Sequence, residues 1–327
     1  MSSVSDMTTA GDLRLRDATF DDVDSLTALL DAASRRWVGR PTSADEVRDR
    51  LATPHTAIDR DTVVVLDRNE SVVGFGHVWL AQPDEVRCFG RTHPHHRGKG
   101  VGTAVQGVLT ARAMELASTT PTPDLTNLTT TTWPNDADGD VLLAGLGYQP
   151  ARYFQKMVMD FAERQPDPLP DPAGLTLRGY EPADETTIFV AFVEAFADHW
   201  GEEHPDEETW WLDRRDADSA GYAPDLWLVA MDGDEIAGFV TAKVQEDSTG
   251  RSHGYVCDLG VRPRWRGRGL GECLLTRSLT MLRNRGLPYV ALDVDTENTS
   301  GAIGLYTKVG MQQRPSFTIW SRSLSTA

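Results

Sequence analysis

The chain has 327 residues, 40% of them apolar, enough for two domains of roughly 150 residues with real cores. Its formal net charge of −17 argues against a nucleic-acid partner, whose phosphates need a basic surface. No apolar run reaches the ~18 residues of a membrane helix, and the start, MSSVSDMTTAGD, has neither the basic nor the apolar region of a secretory signal. Three scattered cysteines (Cys88, Cys257, Cys273) make neither a disulfide framework nor a paired metal motif, so a reducing cytoplasm is the expected setting.

In chain order, LRLRDATFDDVDSLTALLDAA (Leu13–Ala33) predicts a short strand, a turn with acidic helix-start residues, and an amphipathic helix. TVVVLDRNESVVGFGHVWL (Thr62–Leu80) predicts a β-hairpin. His93, His95 and His96 then fall in THPHHRGKG, at a spacing that fits no standard metal site and suits an exposed loop. RGKGVG (Arg97–Gly102) is a glycine corner before a helix, and LLAGLGYQP (Leu142–Pro150) predicts a helix end with a glycine near its C-cap and a final strand. Between residues 163 and 174, four prolines predict an extended linker that joins neither core.

The same series then repeats. LTLRGYEPADETTIFVAFVEAF (Leu175–Phe196), LWLVAMDGDEIAGFVTAKV (Leu226–Val244), RGRGLG (Arg266–Gly271) and LYTKVGMQQ (Leu305–Gln313) match the four segments in order, with the clear strand PYVALDV (Pro288–Val294) after the second corner. The offset is 169 residues at the corners and 163 at the helix-end glycines Gly147 and Gly310. An internal duplication on this scale predicts two copies of one α/β domain, at 12–162 and 175–325.

The corner has a physical reading. A helix N-terminus carries unpaired N–H groups and partial positive charge. In RGRGLG, Gly267, Gly269 and Gly271 remove side chains from the path of an anion, and Arg266 and Arg268 add charge. A Rossmann corner would follow the first strand, and a P-loop would end in Gly-Lys-Ser/Thr; this one does neither.

Together, DLGVRPRWRGRGLG (Asp258–Gly271) and DVDTENTSGAIGLYTKVGM (Asp293–Met311) resemble the two landmarks of the GCN5-related N-acetyltransferase (GNAT) superfamily. The resemblance covers almost the whole chain, once per half. It implies, for each half, a mostly antiparallel twisted sheet of mixed α/β type, flanked by helices, with splayed fourth and fifth strands. It implies acetyl-CoA as co-substrate, no metal, and direct attack by an amine in a ternary complex. By this resemblance the CoA pyrophosphate rests on Arg266, Gly267, Arg268, Gly269, Leu270, Gly271 and Glu272, with Asn298 from the second landmark. A backbone N–H near Leu259, Gly260 and Val261 would stabilise the thioester oxygen. Tyr306 falls at the position of the acid that protonates the departing thiolate.

The halves differ at these positions. Leu143 stands at the Tyr306 position and Phe89 at the Asp258 position, although Arg97, Gly98, Gly100 and Gly102 persist. The N-terminal half is expected to keep the fold, with or without acetyl-CoA binding, and to do no chemistry. For the general base the choices are Asp258, Asp293, Asp295 or a water chain, with Asp258 preferred. Residues Glu194–Asp218, where the family's first helices wall the acceptor, hold ten acidic residues against two arginines, with Trp200, Trp210 and Trp211 among them. That pattern suits a small cationic amine, with Asp198, Trp200 and Asp293 as acceptor residues, or a solvated helix face over core tryptophans. The tandem arrangement also resembles the mycothiol synthases, which implies a cysteinyl amine as the alternative acceptor. Tyr255 in place of a carboxylate and the added Asp258 depart from that pattern. A non-catalytic acetyl-CoA sensor is the reading from another class. A monomer and a homodimer both remain compatible.

Overall fold

The computed structural model describes residues 13–38, 41–52, 57–82, 85–119, 127–167, 169–197, 207–208, 210–211, 223–247, 250–297 and 301–324. The chain divides into two units, one of Met1–Tyr153 with Phe317–Ala327 and one of Phe154–Ser316.

In the first unit β1 (Arg14–Arg16), β2 (Thr62–Leu66), β3 (Val72–Gln82) and β4 (Glu85–Thr92) form an antiparallel run. Helices α1 (Val23–Val38), α2 (Ala44–Leu51) and the single-turn α3 (Ile58–Asp61) precede β2, and α4 (Val101–Thr119) follows β4. Strand β2, TVVVL, is buried throughout. Its Val63 and Val65 pack with Val101, Val105 and Leu109 of α4, while Val64 and Leu66 pack with Leu26, Leu29 and Leu30 of α1. Side chains alternate between the faces of a strand, so a continuously apolar strand needs a helix layer on both. Strand β4 then pairs in parallel with β5 (Asn127–Thr132), but only through Glu85–Arg87 against Asn127–Thr129. Beyond those residues no ladder joins them. α5 (Ala137–Gly145) and β6 (Gln149–Asp160) follow.

The second unit repeats this plan. β7 (Thr176–Gly179), β8 (Leu228–Asp232), β9 (Glu235–Glu246) and β10 (Ser252–Val261) are antiparallel, and α6 (Glu185–Phe196) follows β7. α7 (Leu270–Asn284) leads to β11 (Tyr289–Asp295), which pairs in parallel with β10 only at Gly254–Val290 and Tyr255–Ala291. α8 (Ala302–Val309) and β12 (Gln312–Ser323) close the chain. The β10 register slips between Val256 and Asp258, so Cys257 is an inserted bulge residue. The duplication is also visible in side chains. Arg16 holds Asp22 through two bonds of 2.7 and 2.6 Å, and Arg178 holds Asp184 through two of 2.7 Å, at the same strand-to-helix corner.

The units differ from the sequence halves in their last strands. Thr318–Ser323 of β12 pairs with β5 in the first unit, and Phe154–Asp160 of β6 pairs with β11 in the second. Residues 154–162, expected to close the N-terminal domain, therefore belong to the second unit, and 317–325, expected in the C-terminal domain, belong to the first. The exchanged strands are core. Met157 and Met159 are buried with Val290 and Leu292. Trp320 is buried with Leu128 and donates its Nε1–H to Thr132 Oγ1 at 2.9 Å. The proline segment, expected as an extended linker, makes specific contacts with the second unit. Its described residues form no helix or strand, yet it is laid along α7 by Arg283–Gln165 (2.9 Å) and Arg277–Asp171 (2.7 Å), with Pro166 buried.

Candidate functional site

In the second unit, a cleft of about 350 Å3 lies between β10, the glycine corner, α8 and the end of α6. Leu259 and Val261 line it from β10, Arg266, Gly267 and Gly269 from the corner, Leu270, Gly271 and Glu272 from α7, and Ala302, Leu305, Tyr306 and Lys308 from α8. Gly267 and Gly269 have φ of +77°, a conformation that costs any other L-residue strain. That left-handed pair turns the chain into α7. The bond Cys273 N–H to Gly269 O (3.1 Å) is a helical one, so the amides of Leu270, Gly271 and Glu272 form the first turn, at the cleft.

Arg266, expected at the phosphates, donates instead to Val261 O (3.1 Å) and Ala195 O (2.9 Å), which pins the corner to the end of α6. Arg268 is exposed and makes no ion pair among the described residues. Glu272 accepts from Lys308 at 2.5 Å, so its carboxylate is paired with another residue of the cleft wall. Gly260 lies on the opposite face of β10, where an added Cβ would come within 2.5 Å of Phe239 and 3.1 Å of Ala195. Asn298 lies outside the described residues.

Tyr306 is 9% exposed, and burial pushes its phenol up to about 12, so it is protonated at neutral pH. Its hydroxyl makes no hydrogen bond among the described residues. Asp258 is not among the residues lining this cleft. Alternation puts it on the Gly260 face of β10, toward α6, where its Oδ2 accepts from Thr241 Oγ1 at 2.5 Å. Asp293 is engaged at both oxygens: Tyr255 donates to Oδ2 (2.9 Å), Ser316 donates to Oδ1 (2.5 Å), and Lys156 lies 3.6 Å from Oδ2. The spacing of landmarks did not reveal this cluster, because its members come from four strands.

On the acceptor side, Asp198 and Trp200 lie outside the described residues. Trp210 and Trp211 are buried with Ile188, Phe192 and Phe239, so these two indoles belong to the core beneath α6.

The first unit has a counterpart cleft of about 610 Å3, lined by Arg97, Gly98, Gly100, Gly102, Thr130, Thr132, Asp136, Asp138 and Leu143 among others. Gly98 and Gly100 keep positive φ, +71° and +82°. Here the corner arginine meets acids, with Arg97 Nη1 2.9 Å from Asp136 and 3.7 Å from Asp138. Leu143, at the Tyr306 position, offers no proton. The histidine turn packs on itself, with the His93 ring tilted against His95 (5.3 Å) and edge-on to His96 (5.7 Å), and His96 Nε2 lies 3.7 Å from Asp67. Among the described residues no group of three His, Cys, Asp or Glu could hold a metal ion.

Comparison with known proteins bears on both units. Residues 186–311 match the acetyltransferase (GNAT) family model, and residues 12–138 match a second acetyltransferase (GNAT) domain model. The chain is 31% identical over 287 residues to the mycothiol acetyltransferase of Salinispora arenicola, covering 84% of this chain and 85% of that one. Its fold resembles a GCN5-related N-acetyltransferase from Sphaerobacter thermophilus, with a TM-score of 0.78 and 24% identity over 98% of both chains. It also resembles a tandem GNAT protein from the clavulanic acid biosynthesis pathway, with a TM-score of 0.69 and 20% identity over 96% of this chain and 99% of that one.

Proposed function

The chain belongs to the GNAT acetyltransferase family, and on that premise we propose that its C-terminal half moves the acetyl group of acetyl-CoA directly to the primary amine of a small, cationic acceptor. The observation that carries the placement is the Tyr306 hydroxyl: buried, protonated, without a hydrogen bond among the described residues, and on the wall of the glycine-corner cleft. As the amine attacks the thioester carbon and the C–S bond breaks, the leaving thiolate takes the Tyr306 proton. First-turn amides of Leu270, Gly271 and Glu272 suit a pyrophosphate, and a β10 amide near Leu259–Val261 suits the thioester oxygen. Asp258, on the face of β10 toward α6, takes the proton that the ammonium must lose before attack. The N-terminal half lacks an acid at Leu143 and serves the fold.

The cationic acceptor rests on the segment Glu194–Asp218, which carries ten acidic residues against two arginines. A second reading of the acceptor, the cysteinyl amine of a mycothiol precursor, is favoured by the mycothiol acetyltransferase relatives. Release of CoA thiol from acetyl-CoA, followed across polyamines, aminosugars, aminoglycosides and the mycothiol precursor, separates the two. Turnover with one class and a large loss in Tyr306→Phe supports the reading. Undiminished turnover in that variant sinks the assignment of the acid, and release with no amine sinks the enzyme reading in favour of a sensor.

A further inference from the structure

The first unit contains a second cavity, separate in its lining from the glycine-corner cleft except at Arg91, which borders both. It measures about 520 Å3, within the roughly 300–1,000 Å3 typical of small-molecule sites. Its walls come from α1 and α2, from His77 and Trp79 on β3, from Phe89 and Arg91 on β4, and from Trp133.

The charges are unusual. The guanidinium carbons of Arg50 and Arg91 lie 4.0 and 4.2 Å from the centroid of the same ring, Phe89. Arg91 donates to Ser34 Oγ (3.3 Å) and to Gly90 O (2.8 Å), both neutral, and has no ion pair among the described residues. Burial, with repulsion from Arg50 behind it, pulls Arg91 down to about 10, still protonated at neutral pH. His77 cannot supply a charge of its own, because burial and Arg50 push it down to about 4. Glu46 and Asp49 face the cavity from α2, and Glu46 acts on Arg50. A half-buried guanidinium whose hydrogen bonds go to neutral acceptors, beside a second cation and with Asp136 acting on it only through space, gains from a counter-charge in the cavity.

We propose that this cavity binds a small aromatic carboxylate. The carboxylate pairs with the Arg91 guanidinium, whose planar fork matches two oxygens. The ring of the ligand rests against the aromatic lining, where Trp79, stacked on His77 at 4.9 Å, and Trp133 border the cavity. The site is a binding site without chemistry. It goes beyond the acetyl transfer assigned to the second unit and does not depend on it.

The test is a 19F-NMR titration of the full chain with 4-fluorobenzoate, beside 4-fluorobenzamide as the uncharged probe of the same shape. Saturable binding of the acid and none of the amide is expected. Loss of a charge-assisted pair predicts a weakening of about tenfold or more in Arg91→Met. Arg91→Lys keeps the charge and loses the fork, so an intermediate affinity is expected; it carries the test if Arg91→Met fails to fold by circular dichroism. Binding that survives saturation with CoA places the ligand away from the corner of the second unit. Equal binding of acid and amide overturns the proposal, as does unchanged affinity in a folded Arg91 variant. Inorganic phosphate that displaces the acid at equal concentration overturns the carboxylate class.

Discussion

Tyr255 on β10 donates its hydroxyl to Asp293 on β11 at 2.9 Å, two residues past the last backbone pair between these strands, Tyr255–Ala291. The bond straps the strands where their ladder has ended. Burial first, and Asp293 second, raise the Tyr255 phenol far above its ordinary value, so it remains the donor at every working pH. Ser316 and Lys156 complete the carboxylate's shell. Asp293→Asn is therefore expected to lower unfolding stability by about 1–3 kcal/mol, and Tyr255→Phe by less, because the first disturbs three partners and the second removes one. Urea unfolding measures both. A raised acceptor KM in Asp293→Asn with stability intact would return this residue to the acceptor site.

The exchange of last strands has a direct consequence for truncation. A chain that stops at residue 162 leaves β5 without Thr318–Ser323 and the first core without Trp320. An open strand edge beside a lost core indole favours aggregation. Such a fragment is expected to be insoluble or loosely packed by hydrogen exchange, and a peptide of residues 312–324 is expected to restore protection. In the full chain, Trp320→Ala is expected to cost about 3–5 kcal/mol.

Much of the fold could be read from the chain because its causes are local. Positive φ at Gly267 and Gly269 demands glycine, and the helix start after it demands no partner elsewhere in the chain. The repeat then told which strand precedes the corner. Strand exchange has no such signature. KMVMD, Lys156–Asp160, has the same alternation whichever sheet it joins, and the 12 residues of β6 and β12 do not set them apart from β9, which is as long and is not exchanged. The tryptophans of the acidic segment show the limit for the site: a Trp-Trp pair beside carboxylates suits a cation or a core equally, and packing under α6 decides for the core at Trp210 and Trp211. The Arg50–Phe89–Arg91 cluster was invisible because α2 and β4 meet only in the folded unit.

Two glycines of the corner make a contrast. Gly269→Ala forces a φ of +77° on alanine, a strain of about 1–2 kcal/mol at the first turn of α7. Gly271→Ala needs no unusual backbone, and its methyl group would meet Leu305 Cδ2 at 3.4 Å, ordinary contact. Gly269→Ala is expected to weaken CoA binding and lower the melting temperature, while Gly271→Ala keeps the melting temperature and acts on CoA alone. Calorimetric titration with CoA beside thermal unfolding distinguishes them.

Asp184 couples acid stability to the strand-to-helix corner of the second unit. The Arg178 hydrogen bonds, outweighing desolvation, hold its carboxyl below the usual range. A carboxylate depressed in the folded state stabilises above its unfolded value of about 3.9 and loses that contribution as pH falls through the lower folded value. Asp184→Asn is expected to cost about 1–3 kcal/mol at pH 7, and the gap from the native chain is expected to close below about pH 4. Urea midpoints measured from pH 7 down to pH 3 test the slope.

Tyr306 is where catalysis and burial can be tested together. If it hands its proton to the leaving thiolate, Tyr306→Phe is expected to lower kcat by about 10²-fold or more and leave the acetyl-CoA KM nearly unchanged. The acid form is the working form, and burial places its loss near pH 12. Tyr306 therefore contributes no falling limb to kcat between pH 6 and about 10; a rise across that range would report deprotonation of the acceptor amine instead. An alkaline limb below pH 10 that vanishes in Tyr306→Phe would show a phenol far more acidic than its surroundings allow. The first unit supplies the control. Leu143→Tyr puts a phenol on the wall of the other cleft, where Arg97 is already paired with Asp136. Added to Tyr306→Phe, it is expected to restore no turnover, because the acid would stand in the other unit, away from the thioester held at the second corner.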